Sequence, residues 1–226
     1  MRGGVARRKD RASARASETG IRVIRRTLTI LATTILAMTN GPALAQDNQP
    51  LVTLHTTQGD VIVRLDAGQA PITTCNFLRY VQAGRYAGGT FFRTVVAETN
   101  DSPAPIDVIQ AATTAGSDDP GLGPIVLERT IDTGLRHSTG AISMARDGPD
   151  TATSSFFIVT RDTPALDFGG ARNPDGQGFA AFGLVISGME IIQAIHSAPA
   201  EDEQLVSPVV IGAATLSTGL PAVCRA

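Results

Sequence analysis

The hydrophobic pattern beyond residue 50 consists of short runs, and several of them alternate between apolar and polar positions. β-Branched and aromatic residues dominate the runs, while Gly, Pro, Asn and Asp occupy the connections. Runs of this kind cover residues 51–56, 61–65, 89–95, 108–110, 141–145, 156–159, 179–186 and 206–211. The pattern therefore predicts a mainly β domain built from many short strands.

Two stretches have the periodicity of a helix, one near each end of this region. In the first, Pro71 is placed for the first helical turn, and apolar residues recur every three positions until Gly84. In the second, Ser187 and Glu190 have the spacing of a capping box, and the apolar stripe stops before Pro199. Many strands with two helices predict an all-β sandwich or barrel with helical plugs, and a closed barrel leaves no unpaired strand edges.

The connection between two of the predicted strands is long enough to suggest a binding site. Residues 146–154 form a polar loop with a Gly-Pro turn, longer than most hairpins need, and long loops in compact domains often line sites. Phe156 and Phe157 follow it and point to opposite faces of a strand. One ring can therefore face a groove, although both could simply belong to the core.

The first 45 residues predict a secretory signal peptide. A basic stretch is followed by an apolar run at residues 28–38, which is shorter than the roughly 20 residues that span a bilayer, and then by Ala-Leu-Ala ending at residue 45. A pair of arginines before the apolar run leaves the export route open. We expect residues 1–45 to be removed and residues 46–226 to form one exported domain without stable membrane insertion.

The charge balance changes when this segment is removed. The whole chain has 19 Lys and Arg against 21 Asp and Glu, a net charge of -2. Residues 1–45 hold 9 of the basic groups and 2 of the acids, which leaves 10 against 19 and a net charge of about -9. Such an acidic domain is a poor candidate for binding nucleic acid, whose phosphates demand Lys and Arg.

Several common catalytic chemistries lack their sequence patterns. The three histidines, His55, His137 and His196, are far apart and lack metal-ligand spacing, so a zinc site is disfavoured. No G-x-S-x-G elbow or phosphate-binding glycine loop is present. Two cysteines, Cys75 and Cys224, are too few for a disulfide scaffold. In an oxidising compartment they could form a disulfide between the first predicted helix and the C-terminal tail.

The remaining candidate chemistry is a small set of polar and aromatic side chains on the strands. Arg93 lies in an aromatic strand, Gln110 ends another strand, and Phe157 follows the long loop. Together they could hold a peptide and polarise an amide without a cofactor. Each residue alone also has an ordinary structural explanation, such as a surface arginine on a strand.

Five separated motifs resemble those of the cyclophilin peptidyl-prolyl isomerases. The segment SMARDGPDTATSSFFIVT, residues 143–160, aligns without a gap with their most diagnostic motif. Residues 90–93 resemble the T-F-H-R strand of the family, residues 108–110 its M-I-Q strand, and residues 179–189 its V-F-G…G-M segment. The start of the first helix fits as well. The motifs occur in the family order and are most similar to the exported bacterial branch.

The resemblance implies a fold and a site. The fold is an eight-stranded antiparallel closed barrel capped by two α-helices, with a groove on its outer face and neither metal nor organic cofactor. Arg93 and Gln110 fall on the catalytic positions of the family. The implied substrate-binding residues are Val108, Ala145, Arg146, Phe157, Leu166 and Phe179.

The implied function is peptidyl-prolyl cis-trans isomerisation that assists the folding of proline-containing polypeptides. With the signal peptide, this predicts a periplasmic protein, which we expect to be a monomer. Departures from the family pattern leave an alternative open, a catalytically weak peptide-binding module on the same barrel. Phe92 replaces a usual His, Ser155 replaces a usual Gln, and residues 96–107 form an inserted loop. An unrelated ligand-binding barrel would leave the ordered motifs unexplained.

Overall fold

The computed structural model describes residues 49–116 and 120–225, and the predicted signal peptide lies outside these residues. The strands are β1 Leu51–Thr56, β2 Gly59–Leu65, β3 Thr90–Val95, β4 Val108–Ala112, β5 Ala141–Met144, β6 Phe156–Val159, β7 Ala181–Ser187, β8 Ala200–Glu201 and β9 Gln204–Leu216. The helices are α1 Pro71–Gln82, α2 Thr130–Thr133 and α3 Met189–His196.

Eight of the strands form a closed antiparallel barrel. Their order is β1-β2-β7-β5-β6-β4-β3-β9, and pairing of β1 with β9 completes the ring. The two-residue strand β8 pairs with β9 at one edge and lies outside the ring. The predicted fold class is therefore confirmed, including the pairing of the two strands that flank the 146–154 loop.

The alternation of apolar and polar residues decides which side chains enter the barrel. On β2, Val61, Val63 and Leu65 are fully buried, whereas Arg64 between them is exposed. On β6, Phe156 is fully buried in the main core and packs edge-to-face on Phe77 of α1, with ring centroids 5.4 Å apart. Helix α1 thus plugs the barrel by burying its apolar stripe.

Helix α1 begins as predicted, with Pro71 in its first turn. The Glu128 carboxylate accepts the backbone N–H groups of Ile72 and Thr73, at 3.0 and 2.7 Å, and so satisfies two donors that have no intrahelical partner. The four-residue helix α2 was not predicted. No helix in the described part of the chain is long and apolar enough to cross a membrane.

The capping-box prediction for α3 is wrong. Ser187 remains in β7, Gly188 precedes the helix, and no side chain caps it. Gly188 has a left-handed φ of 86°, and a Cβ atom there would lie 2.5 Å from the Asp60 carbonyl oxygen. The close approach of β2 therefore requires glycine at this position and sets how the chain enters the helix.

A disulfide between Cys75 and Cys224 ties α1 to the segment that follows β9. The two Cα atoms are 5.2 Å apart, within the usual range for a bridge. The proposed pairing of these cysteines is confirmed. The bridge closes a loop that contains six of the eight barrel strands, β3 to β7 and β9, because its ends are 149 residues apart in the sequence.

Candidate active site

Arg93, Gln110 and Phe157 lie in one row across three neighbouring strands. Arg93 on β3 is directly opposite Gln110 on β4, and Gln110 is directly opposite Phe157 on β6. Directly opposite residues share one face of a sheet. The register of β3 shifts between Phe91 and Arg93, so Phe91 enters the core while Phe92 and Arg93 both line the outer groove.

A chain of hydrogen bonds fixes the polar part of this row. Arg93 Nη1 donates to Gln110 Oε1 at 2.9 Å, and Gln110 Nε2 donates to Ser155 Oγ at 3.0 Å. Ser155 Oγ in turn donates to the Ala111 carbonyl oxygen at 3.0 Å. Ser155, one of the departures from the family pattern, therefore helps to set the orientation of the Gln110 amide and, through it, of the guanidinium.

Glu203 holds Arg93 from the opposite side. Arg93 Nε donates to Glu203 Oε2 at 2.9 Å, and Arg93 Nη2 contacts the same oxygen. Glu203 Oε1 accepts from Asn100 Nδ2 at 2.6 Å. Glu203 therefore joins the guanidinium to the inserted loop, residues 96–107. Sequence reasoning missed both Glu203 and Asn100.

All eight predicted site residues line one cavity of about 610 Å³ on the outer face of the barrel. Its apolar wall consists of Ile106, Val108, Ala145, Phe157, Leu166 and Phe179. The rings of Phe157 and Phe179 meet edge-to-face at 5.4 Å. The structure thus brings the proposed catalytic pair and the proposed substrate-binding residues together at one site.

Ile106 belongs to this wall but was not among the predicted residues. It is 5% exposed and packs in the same buried cluster as Val108 and Phe157. Asp107, its neighbour, instead accepts from the Ala97 N–H and pairs with Arg161, which anchors the base of the inserted loop. Because Ile106, Val108 and Gln110 are spaced by two, strand alternation was the signal that could have identified it.

A buried polar network lies behind Phe157. The His137 ring stacks on Phe157 with centroids 5.9 Å apart, while His137 Nδ1 lies 2.8 Å from Asp167 Oδ1 and Nε2 lies 2.9 Å from Ser143 Oγ. Ser143 is fully buried, so this Ser-His-Asp group supports the pocket floor and cannot attack a substrate. Burial raises the Asp167 pKa, but hydrogen bonds and charge from His137 outweigh burial, and the net shift is downward.

Two further arginines border the cavity. Arg146 forms a bidentate pair with Asp175 at 2.7 and 3.0 Å and lies over the Phe179 ring, 5.1 Å from its centroid. Hydrogen bonds from Arg146 and from the Gln177 N–H lower the Asp175 pKa to about 2. Arg172 lines the cavity beside the inserted loop, and its pKa is lowered by burial and by the charge of Arg93.

The arrangement can accept an extended peptide. The apolar wall suits a compact apolar ring, and the neighbouring guanidinium and amide provide N–H donors beside it. Among the described residues, no group of three or more His, Cys, Asp or Glu side chains is placed to hold a metal ion.

Comparisons with known proteins agree with this geometry. Residues 51–216 match the family described as "Cyclophilin type peptidyl-prolyl cis-trans isomerase/CLD". "Peptidyl-prolyl cis-trans isomerase cyp18" of Streptomyces antibioticus is 33% identical over 173 residues, covering 73% of this chain and 97% of that protein. "Peptidyl-prolyl cis-trans isomerase A" of Dickeya dadantii is 35% identical over 172 residues, covering 75% of this chain and 83% of that protein.

A solved structure shows the same fold. The crystal structure of a cyclophilin-type isomerase from Cryptosporidium parvum superposes with a TM-score of 0.62 at 22% identity, covering 76% of this chain and 99% of that one. The family match spans most of the sequence and includes all eight barrel strands and the residues of the groove. The chain therefore belongs to the cyclophilin-type peptidyl-prolyl cis-trans isomerase family.

Proposed function

We propose that the protein accelerates cis-trans rotation about X-Pro bonds in exported polypeptides, as a monomer, and so assists their folding. The observation that carries the proposal is the row of Arg93, Gln110 and Phe157 beside an apolar pocket. A Cryptosporidium parvum cyclophilin of the same fold has been solved in the presence of the dipeptide Ala-Pro. A proline-containing peptide is accordingly the substrate class that we assign to this groove.

The proposed mechanism relies on differential binding of the twisted amide. Rotation about an X-Pro bond faces a barrier of roughly 20 kcal/mol, because the twisted amide loses its resonance. In the twisted state the prolyl nitrogen becomes pyramidal and basic, and can then accept a hydrogen bond. Arg93, which is permanently charged and has a rigid fork of donors, is suited to donate that bond. A donor that binds the twisted state better than either planar state lowers the barrier.

The other site residues position the proline ring of the substrate and the guanidinium of Arg93. The apolar wall holds the proline ring and excludes water, with Phe157 as its floor and Ile106, Val108 and Leu166 beside it. Gln110 already fixes one edge of the Arg93 guanidinium and can also donate to a substrate carbonyl. A donor held in place before the substrate arrives requires little reorganisation during the reaction.

A catalytically weak binding module remains the second candidate. Arg93 already donates three hydrogen bonds, one to Gln110 and two to Glu203, which leaves two of its five N–H donors for a substrate. Exchange NMR on a single X-Pro peptide separates the two functions. Cis-trans exchange far above the uncatalysed rate at catalytic protein concentration supports the isomerase, whereas binding without accelerated exchange supports the module.

We further propose that residues 1–45 direct export to the periplasm. A basic stretch, an apolar run and a small-residue cleavage site support this, and a disulfide suits an oxidising compartment. Expression of the full chain in a bacterial host, followed by cell fractionation and N-terminal sequencing, tests the proposal. A periplasmic product that begins at Gln46 is expected, and an uncleaved product in the cytoplasm contradicts it.

A further inference from the structure

We propose that Arg172 forms a second recognition site in the groove, which binds a carboxylate of the bound peptide close to its proline. The inference rests on the proposed function, because it assumes that a peptide occupies the cavity. It adds a specificity to that function, namely a preference for acidic proline-containing segments.

The charges around the cavity single out Arg172. Three arginines line it, and two of them already have carboxylate partners, Arg93 with Glu203 and Arg146 with Asp175. Arg172 has no ion pair with any described residue, although it lies close enough to Glu203 to feel its charge. Asp147 also lines the cavity and is exposed. Within the part of the chain that the structure describes, Arg172 is thus the cation lining this cavity that has no carboxylate partner.

The position of Arg172 places its charge beside the apolar pocket. Its backbone N–H donates to the Ala165 carbonyl oxygen at 3.1 Å, next to Leu166 of the pocket wall. Its Nη1 makes two long hydrogen bonds, both 3.4 Å, to Asn100 Oδ1 and to the Ala104 carbonyl oxygen. The guanidinium therefore lies between the inserted loop and the pocket, where a side chain next to a bound proline can reach it.

The donors of Arg172 are mostly unused. A guanidinium has five N–H donors in a planar fork, and a carboxylate accepts two of them side by side. Among the described residues, hydrogen bonds engage Nη1 but neither Nε nor Nη2. Partial burial and the nearby Arg93 both disfavour the charged form of Arg172, as its lowered pKa shows. A carboxylate bound to Arg172 would compensate for its lost hydration and would also offset the repulsion from Arg93.

The carboxylate could come from an Asp or Glu side chain or from the C-terminus of a short peptide, and the peptide design separates the two. One series carries Glu or Gln immediately before or after the proline, with an amidated C-terminus. A second series carries Gln at these positions, ends at the residue that follows the proline, and has a free C-terminal carboxylate there. Calorimetry or NMR titration measures Kd, and exchange NMR on the same samples measures the isomerisation rate.

Wild-type protein should bind the preferred Glu peptide about tenfold more tightly than its Gln counterpart, as expected for a partly desolvated charge-assisted pair. Arg172→Gln should reduce this ratio below about twofold, while Arg172→Lys, which keeps the charge but loses the fork, should retain part of it. Arg64→Gln, which removes an exposed charge from β2, is the matched control and should leave the ratio unchanged. Preference for the free acid alone would assign the site to a C-terminal carboxylate.

The proposal is overturned if the wild type does not distinguish any carboxylate peptide from its neutral counterpart, or if Arg172→Gln keeps the full ratio. Failure of the isomerase function gives a different result. In that case exchange stays at the uncatalysed rate, while the carboxylate preference and its loss in Arg172→Gln are still measured.

Discussion

Removal of the Cys75–Cys224 bridge offers a stability prediction whose size follows from the topology. The double substitution Cys75→Ser and Cys224→Ser opens a cross-link whose ends are 149 residues apart. Both cysteines are only partly buried, so the serine replacements themselves cost little packing. The change in free energy of unfolding should therefore report the constraint that the bridge puts on the chain.

The chain-entropy expression gives the magnitude. A closed loop of this length removes conformational entropy from the unfolded chain worth about 5 kcal/mol at 25 °C. The folded state also gains freedom without the bridge, because Cys224 lies eight residues beyond Leu216, the last residue of β9. If residues 217–224 detach from the barrel when the bridge is absent, the folded state gains conformational entropy. The same expression gives this gain as about 2.5 kcal/mol of stabilisation. The net destabilisation should then be about 2.5 kcal/mol.

Guanidinium unfolding of the oxidised wild type and of the double variant measures this difference. Reductant should bring the wild type to the stability of the variant and should leave the variant unchanged. A difference near 5 kcal/mol would show that the segment after Leu216 stays docked without the bridge, contrary to the reasoning. A difference below about 0.5 kcal/mol would show that the bridge does not constrain the unfolded chain.

Two further substitutions test the support of the site. Glu203→Gln keeps the shape of the side chain but removes the charge that holds Arg93. We expect kcat to fall about three- to tenfold with KM within twofold, because the two side chains are 30% and 33% exposed and solvent partly screens the pair. An equal rise in KM with unchanged kcat would instead place Glu203 in substrate binding. Asp167→Asn should cost about 2 kcal/mol at pH 7, because buried His137 loses a charged partner. Since folding lowers the Asp167 pKa, this stabilisation is present above the unfolded value of about 3.9 and is lost as pH falls through the folded value. Urea unfolding should therefore show the gap between wild type and Asp167→Asn closing below about pH 4, and a gap that is constant with pH would contradict the assignment.

The sequence was most informative where local pattern and tertiary structure agree. Strand β1 has the predicted bounds, Leu51–Thr56, and Pro71 begins α1, because alternation and the fixed φ of proline act locally. The resemblance of three motifs to the family predicted that Arg93, Gln110 and Phe157 share a site, and the strand register then places them in one row. Ile106 could have been identified by the same alternation, but it was assigned to the inserted loop, residues 96–107.

The remaining site residues depend on contacts that no local pattern encodes. Glu203 lies in a turn with a φ of 65° and reaches Arg93, which is 110 residues away in the sequence. Asn100 and Arg172 lie on two separate loops and meet only in the folded chain. The start of α3 was mispredicted for a related reason, since the close approach of β2 to Gly188 decides it.

The most direct test of the central claim is cis-trans exchange of one X-Pro peptide with wild type and with Arg93→Ala, each at the same fraction of bound peptide. The account predicts that Arg93→Ala lowers the exchange rate at least about 100-fold, as loss of a preorganised donor does elsewhere, while the free energy of unfolding changes little. Exchange by Arg93→Ala at the wild-type rate would contradict the account.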